Sequence, residues 1–236
     1  MAKVDSKIEA ENAGWSFANI ADDFDEHVSK SVPLYHEGHE LICQISDFFL
    51  PKNAVITEIG TSTGALAERL LRHHKTRDDI RYIGIDAVES MVAKAAKRLA
   101  GERRVELVQA DVTAHAFEPS SMVLSYYCMQ FIPPRVRQRL IDSIYQSLEW
   151  GGALVLFEKV RAPDARFQDI SGQIYQEYKL QKSFSEAEIL NKQRSLKGVL
   201  EPFSTQGNLD LLKRAGFEDV MTVMKWMCFE GFLAIK

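Results

Sequence analysis

Apolar positions recur along this chain in two rhythms, and the change between them divides it. From Ser31 the spacing Val32, Tyr35, Leu41, Ile42, Ile45, Phe48 and Phe49 predicts one amphipathic helix, with Pro33 in its first turn and Pro51 past its end. Upstream, residues 1 to about 14 are polar, and the aromatic stretch 15–27 reads as a cover packed on a larger body. After residue 53 short apolar runs alternate with helical spacing. The runs lie at about 54–59, 80–85, 105–108, 122–127 and 152–157, the last entered through a Trp150-Gly151-Gly152 turn. The segments between carry Leu66, Leu70 and Leu71, then Met91, Val92, Ala95 and Leu99, then Val136, Leu140, Ile144 and Leu148 at helical spacing. Near-continuous apolar strands separated by helices predict a parallel sheet covered on both faces. From 160 to about 205 the alternation breaks into mixed charged and aromatic residues, read as inserted helices. Residues 207–215 restore a helix that Gly216 ends, and about 220–226 and 229–235 read as a hairpin at the sheet edge.

Composition narrows the class without naming a chemistry. The chain has 236 residues, 46% hydrophobic and 26% charged, which suits one domain (1–236) with an N-terminal helical cover (1–50) and a helical insertion (160–205). A net charge of -4 supplies no general attraction to nucleic acid, so no direct nucleic-acid binding is expected. No run approaches the roughly 18 apolar residues of a membrane span, and the first residues lack the apolar core of a signal peptide. Cys43, Cys128 and Cys228 are scattered and odd in number, which argues against a disulfide framework and for the cytoplasm.

The chemistry concentrates at the ends of the predicted strands. Strand 1 closes on Glu58-Ile59-Gly60 and a Gly60-x-x-x-Gly64 turn opens the next helix. Strand 2 ends at Asp86, strand 3 near Asp111, and strand 4 at Tyr126-Tyr127. In an open parallel sheet a ligand lies beyond the carboxyl ends of the strands, where strand order reverses, so three acids reach one edge. Asp86 is placed either to accept both hydroxyls of a ribose or to cap the following helix. Asp111 is placed to accept from an adenine amino group while the Val112 N–H meets a ring nitrogen. Gly60 and Thr61 would lie under an amino acid portion, and Glu58 would accept from hydroxyl or ammonium groups. The G-x-G-x-x-G fingerprint is not met, and the 60–64 turn lacks the basic residue of a phosphate loop. His36, His39, His73 and His74 form no metal-ligand motif and read as solvated or capping residues, and no Gly-x-Ser-x-Gly elbow is present.

Acid-x-Gly-x-x-x-Gly after a strand resembles motif I of the class I S-adenosylmethionine-dependent methyltransferases. Within that superfamily the chain resembles the carboxy-S-adenosylmethionine synthase branch, kin of tRNA wobble-uridine modification enzymes. The likeness rests on Lys30-Ser-Val-Pro-Leu-Tyr35, Glu58-Ile-Gly-Thr-Ser-Thr-Gly64, Met129-Gln-Phe131, Gly151–Lys159, Phe184-Ser-Glu-Ala-Glu-Ile189 and Lys213-Arg-Ala-Gly-Phe217. It implies a Rossmann-like, seven-stranded, mostly parallel sheet with an antiparallel C-terminal hairpin, and a homodimer. It also implies S-adenosyl-L-methionine as cofactor, with Tyr35, Glu58, Gly60, Thr61, Ser62, Asp86, Ala87, Asp111, Val112 and Tyr126 around it. Two positions depart from the branch. Tyr126 stands where it has asparagine. Gln193 stands where it has the arginine that pairs with the extra carboxylate, and Arg194 follows one residue later. One helical position turns a side chain by about 100°, which matters to a guanidinium that must meet a carboxylate in plane.

These departures make methyl transfer from unmodified S-adenosylmethionine to a small-molecule acceptor the leading expectation. Tyr126, Tyr127 and His27 are then the candidates for a general base, and Gln193 and Arg194 the candidate substrate-binding residues. The alternative is synthesis of carboxy-S-adenosyl-L-methionine with prephenate as carboxyl donor. A third reading is a silent cofactor-binding subunit.

Overall fold

The computed structural model describes residues 24–236. The polar segment 1–14 and the aromatic stretch as far as residue 23 lie outside these residues, and the described cover begins with α1 (Phe24–Ser31) and α2 (Tyr35–Ser46). The helix expected from Ser31 begins only at Tyr35, as α2, because α1 ends at Ser31. Pro33 and Leu34 separate the two helices, Leu34 sitting in the left-handed region at φ 58° directly before α2. A proline disfavours helical geometry in the residue before it, so the chain turns there.

The alternation expected after residue 53 is present. β1 (Val55–Ile59), α3 (Ala65–His73), β2 (Arg81–Asp86), α4 (Glu89–Arg98), β3 (Val105–Gln109), β4 (Ser120–Tyr126), α5 (Pro134–Ser147) and β5 (Leu148–Lys159) follow in order. The insertion folds as α6 (Ala165–Gln181) and α7 (Glu186–Ser195). Then come α8 (Thr205–Ala215), β6 (Asp219–Trp226) and β7 (Phe229–Ile235). The expected turn at Trp150-Gly151-Gly152 is instead part of a longer β5. Gly151 adopts φ 78° and donates its N–H to the Lys236 carbonyl, so the glycines shift the register of the strand rather than end it.

All seven strands form one sheet in the order β3-β2-β1-β4-β5-β7-β6. The first five pair in parallel, and β7 joins β5 and β6 antiparallel. Alternate residues of each strand feed two cores. Ile56, Leu124 and Val155 face Ile42, Leu66 and Leu70, whereas Val123, Leu154 and Leu156 join Ile141, Ile144 and Leu211 on the other face. This period of two is why the strand sequences read as apolar throughout. From β1 the chain builds outward to β3, then returns to β4 on the other side of β1. The β1/β4 boundary is the switch point where such sheets bind ligands. Among the described residues no helix is long and apolar enough to cross a membrane.

Candidate active site

The turn after β1 sets the floor of the site. The Gly60 and Thr61 N–H groups both donate to the Ile85 carbonyl, at 2.8 and 3.0 Å, tying the turn to β2. Gly60 lies at φ 72°, and a Cβ there would fall 2.6 Å from Cys128 Sγ, so the turn admits only glycine. Asp86, at the end of β2, holds the next step. Its Oδ2 accepts from the Ser62 N–H at 2.8 Å and its Oδ1 from the Val88 N–H at 2.9 Å. Asp86 is therefore not the side-chain cap of α4, whose N-cap is Val88. It clamps two turns and lines the cavity above them. Burial pushes its pKa up, and the backbone N–H groups pull it back down.

Glu58 lies one layer below. Its Oε2 accepts from Thr61 Oγ1 at 2.6 Å and from the Tyr82 hydroxyl at 2.7 Å. Burial outweighs these bonds and pushes its carboxyl up to about 7. At the end of β3, Asp111 is exposed, and its Oδ1 accepts from the Thr113 N–H and Oγ1, each at 2.8 Å. Val112 beside it is buried.

A cavity of about 980 Å³ opens above these strand ends. Tyr35, Glu58, Gly60, Thr61, Ser62, Asp86, Ala87, Asp111, Val112, Tyr126, Tyr127, His27 and Gln193 all line it. Arg194 does not. It is exposed on α7, whereas Lys192 and Gln193 reach the cavity, so the single-residue step from 193 to 194 turns the guanidinium away.

The three residues expected as possible bases are all in the wall, in unequal roles. The Tyr126 hydroxyl donates to the Tyr35 carbonyl at 2.6 Å, and its ring packs among Tyr35, His39 and Phe157. Burial pushes both the Tyr126 and Tyr127 phenols up, so each stays protonated and acts as a donor rather than a base. His27 is buried on α1, with Nε2 against the Lys192 ammonium and its ring edge-on to Phe184. Lys192 also donates to Ser31 Oγ at 3.0 Å. The cover is tied to the floor as well, because Asp25 accepts from Thr63 Oγ1 at 2.6 Å and pairs with Arg98.

A further set of side chains was not singled out from sequence. Lys159 at the end of β5 and Lys179 on α6 both line the cavity, with their ammonium groups 4.5 and 4.4 Å from the centre of the Tyr175 ring. Burial pushes the Lys159 pKa down. With Lys192 they make the β5–α6–α7 side of the cavity cationic, while Glu58, Asp86 and Asp111 make the β1–β2–β3 side acidic. Lys159 was reachable by applying the strand-end rule to the fifth strand. Lys179 was not, because nothing in the sequence of α6 marks which lysine is buried.

An acidic edge over a glycine turn at the switch point, in a sheet closed by an antiparallel hairpin, defines a class I S-adenosylmethionine-dependent methyltransferase fold. Residues 56–152 match a family model described as a methyltransferase domain. The human N-acetylserotonin methyltransferase, solved in complex with S-adenosylmethionine, superposes with a TM-score of 0.63 at 16% identity. That match covers 97% of this chain and 63% of the human one. The carboxy-S-adenosyl-L-methionine synthase of Campylobacter lari is 36% identical over 93% of either chain. That of Staphylococcus epidermidis is 35% identical over 94% of this chain and 97% of its own. The chain belongs to the carboxy-S-adenosyl-L-methionine synthase family and is an S-adenosylmethionine-dependent transferase. The site fits this cofactor, since acids at three successive strand ends suit hydroxyl, amino and ammonium donors spaced along one elongated ligand.

Glu58 has a measurable signature. In the unfolded chain its carboxyl loses its proton near 4.5, whereas the folded one keeps it up to about 7. The native state thus binds more protons across that window, and the Glu58 contribution lowers stability as pH rises through it. Glu58→Gln keeps an acceptor for Tyr82 and Thr61 without the charge. Urea denaturation should show the variant gaining on the wild type between about pH 5 and about pH 7.5, by on the order of 3 kcal/mol.

Proposed function

We propose that this chain makes carboxy-S-adenosyl-L-methionine, taking the carboxyl group from prephenate. The observation that carries the reading is the cationic side of the cavity. A neutral methyl acceptor has no use for Lys159, Lys179 and Lys192 in a partly buried wall, whereas an organic acid bearing two carboxylates does. Several ammonium groups gathered on one wall of a cavity attract an anion, so these lysines favour an anionic second substrate. The names of the relatives support the same reading, and it displaces methyl transfer to a small acceptor, the leading expectation from sequence.

In this reading the cofactor lies along the acidic edge. Asp86 takes the ribose hydroxyls, Asp111 and the Val112 N–H take the adenine, and Ser62 and Ala87 wall the ribose. Gly60, Thr61, Glu58 and Tyr35 hold the methionyl end. When bound, the cofactor supplies a methyl carbon activated by an adjacent sulfonium. The chain's own residues align the two substrates and exclude water, and the two tyrosines at the end of β4 act as neutral walls. The three cysteines are free thiols, in keeping with a cytoplasmic setting.

Plain methyl transfer is favoured only by the two departures from the branch, Tyr126 and the uncharged Gln193, both on the cavity wall. Mass spectrometry of ligand released from purified protein, with turnover on prephenate and S-adenosylmethionine, separates the two. The expected ligand is heavier than S-adenosylmethionine by one CO2. Recovery of S-adenosylmethionine alone, with no turnover on prephenate, would sink the proposal.

Two variants test the division of the cavity. Lys159→Met should raise KM for prephenate by about tenfold or more, the usual cost of a lost charged contact, while leaving cofactor affinity within about twofold. Asp86→Ala should weaken S-adenosylmethionine binding by at least about tenfold in calorimetry. Unchanged affinity in a folded Asp86→Ala protein would mean that Asp86 serves the turns alone.

A further inference from the structure

Outside the cavity, where α2 and α3 end side by side, one group of metal-ligating side chains stands apart. Asp47 follows the last residue of α2, His73 is the last residue of α3, and His74 follows it. Among the described residues this is the only set of three or more histidine, cysteine or acidic side chains whose ligand atoms all lie within 4.8 Å of one another. We propose that Asp47, His73 and His74 bind a divalent transition-metal ion of the zinc type, which clamps the ends of α2 and α3 together.

Three observations support the assignment. The first is spacing. Asp47 Oδ1 lies 2.9 Å from His73 Nε2 and 3.9 Å from His74 Nε2. An ion about 2.0–2.2 Å from each of its tetrahedral ligands separates them by about 3.4 Å, and the observed distances bracket that value. The second is chemistry. Two imidazoles and one carboxylate select a borderline ion such as Zn2+ over Mg2+ or Ca2+, which take oxygen, and leave positions open for water. The third is preorganisation. Ser46 Oγ donates to the Cys43 carbonyl, so it accepts from His74 Nε2 at 2.7 Å, and that nitrogen must pass its proton to Nδ1 before it can ligate. His73 meets both Asp47 oxygens, at 2.9 and 3.1 Å, so its ring already points at the carboxylate. On loading, the proton between Asp47 and His73 is released to solvent, and His74 moves its proton from Nε2 to Nδ1 and exchanges its bond to Ser46 for the ion.

The site is independent of the proposed reaction. α2 begins at Tyr35 in the cavity wall and ends at this cluster, so the ion would hold one wall of the cavity from its far end. The test is Zn2+ titration of tag-free, chelator-treated full-length protein by calorimetry, with Co2+ absorption as a second readout. The wild type should bind one equivalent, show the visible bands of nitrogen-and-oxygen-ligated Co2+, and melt at a temperature that rises with Zn2+ concentration. Asp47→Asn and His73→Gln, at exposed or half-exposed positions that need not disturb folding, should each weaken binding at least tenfold. His36→Ala, on α2 away from the cluster, should bind as the wild type does. Absence of stoichiometric binding, or equal binding by Asp47→Asn and His73→Gln, would overturn the proposal.

Discussion

Everything functional in this molecule rests on the closure of one turn. β1 ends between β2 and β4, and the chain must reverse there without filling the space that a ligand needs. It does so because Gly60 has no Cβ to strike Cys128, and because one carbonyl, that of Ile85, takes two consecutive N–H groups from the turn. Asp86 then fixes Ser62, itself in the left-handed region at φ 51°, by accepting its N–H. A serine in that conformation is strained, and the Asp86 bond offsets the strain. The carboxylate that orders the turn thus also faces the cavity, so one residue couples the shape of the site to its charge.

That coupling gives the cavity its polarity. The sheet order puts β1, β2 and β3 on one side of the switch point and β5 on the other, so any charge at a strand end is sorted by topology. Acids fall on the first side and Lys159 on the second. The insertion then adds Lys179 and Lys192 from above, and Tyr175 lies between the lysines and the cover, its hydroxyl donating to the Ser31 carbonyl at 2.9 Å. A cationic cofactor and an anionic acid would each be drawn to a different end of the same space, which is how two small molecules can be ordered before they react.

The fold and the residues gathered at the strand ends were legible because they follow local rules. Apolar runs, glycine turns and acids at strand ends all obey short-range spacing, and each expected cofactor residue lines the cavity. Long-range facts were not legible. The break at Pro33-Leu34 was hidden by apolar spacing that continues across it, and the glycines at 151 and 152 read as a turn because a register shift has the same local signature. The hydroxyl of Tyr126 is spent on a carbonyl 91 residues away, which no window of sequence could reveal. Lys179 is buried only because the insertion folds back over the cavity.

The departure at Gln193 has a physical consequence beyond the loss of one charge. A guanidinium fixes both the position and the plane of a carboxylate, whereas an ammonium group fixes position alone. In this chain the cavity-lining cations on β5, α6 and α7 include Lys159, Lys179 and Lys192, and Arg194 faces away. Without a guanidinium at 193 the plane of a bound acid falls to Arg135 and Arg161 elsewhere on the lining or to shape, and the walls that supply shape are aromatic. Tyr175 and Phe229 stand with ring centres 5.1 Å apart beside the lysines. Lys159 lies over both rings, 4.5 and 5.9 Å from their centres, so charge and flat surface are presented together. On the proposed function such a site would favour a ring that carries a carboxylate over a small aliphatic acid, because only the former uses both elements.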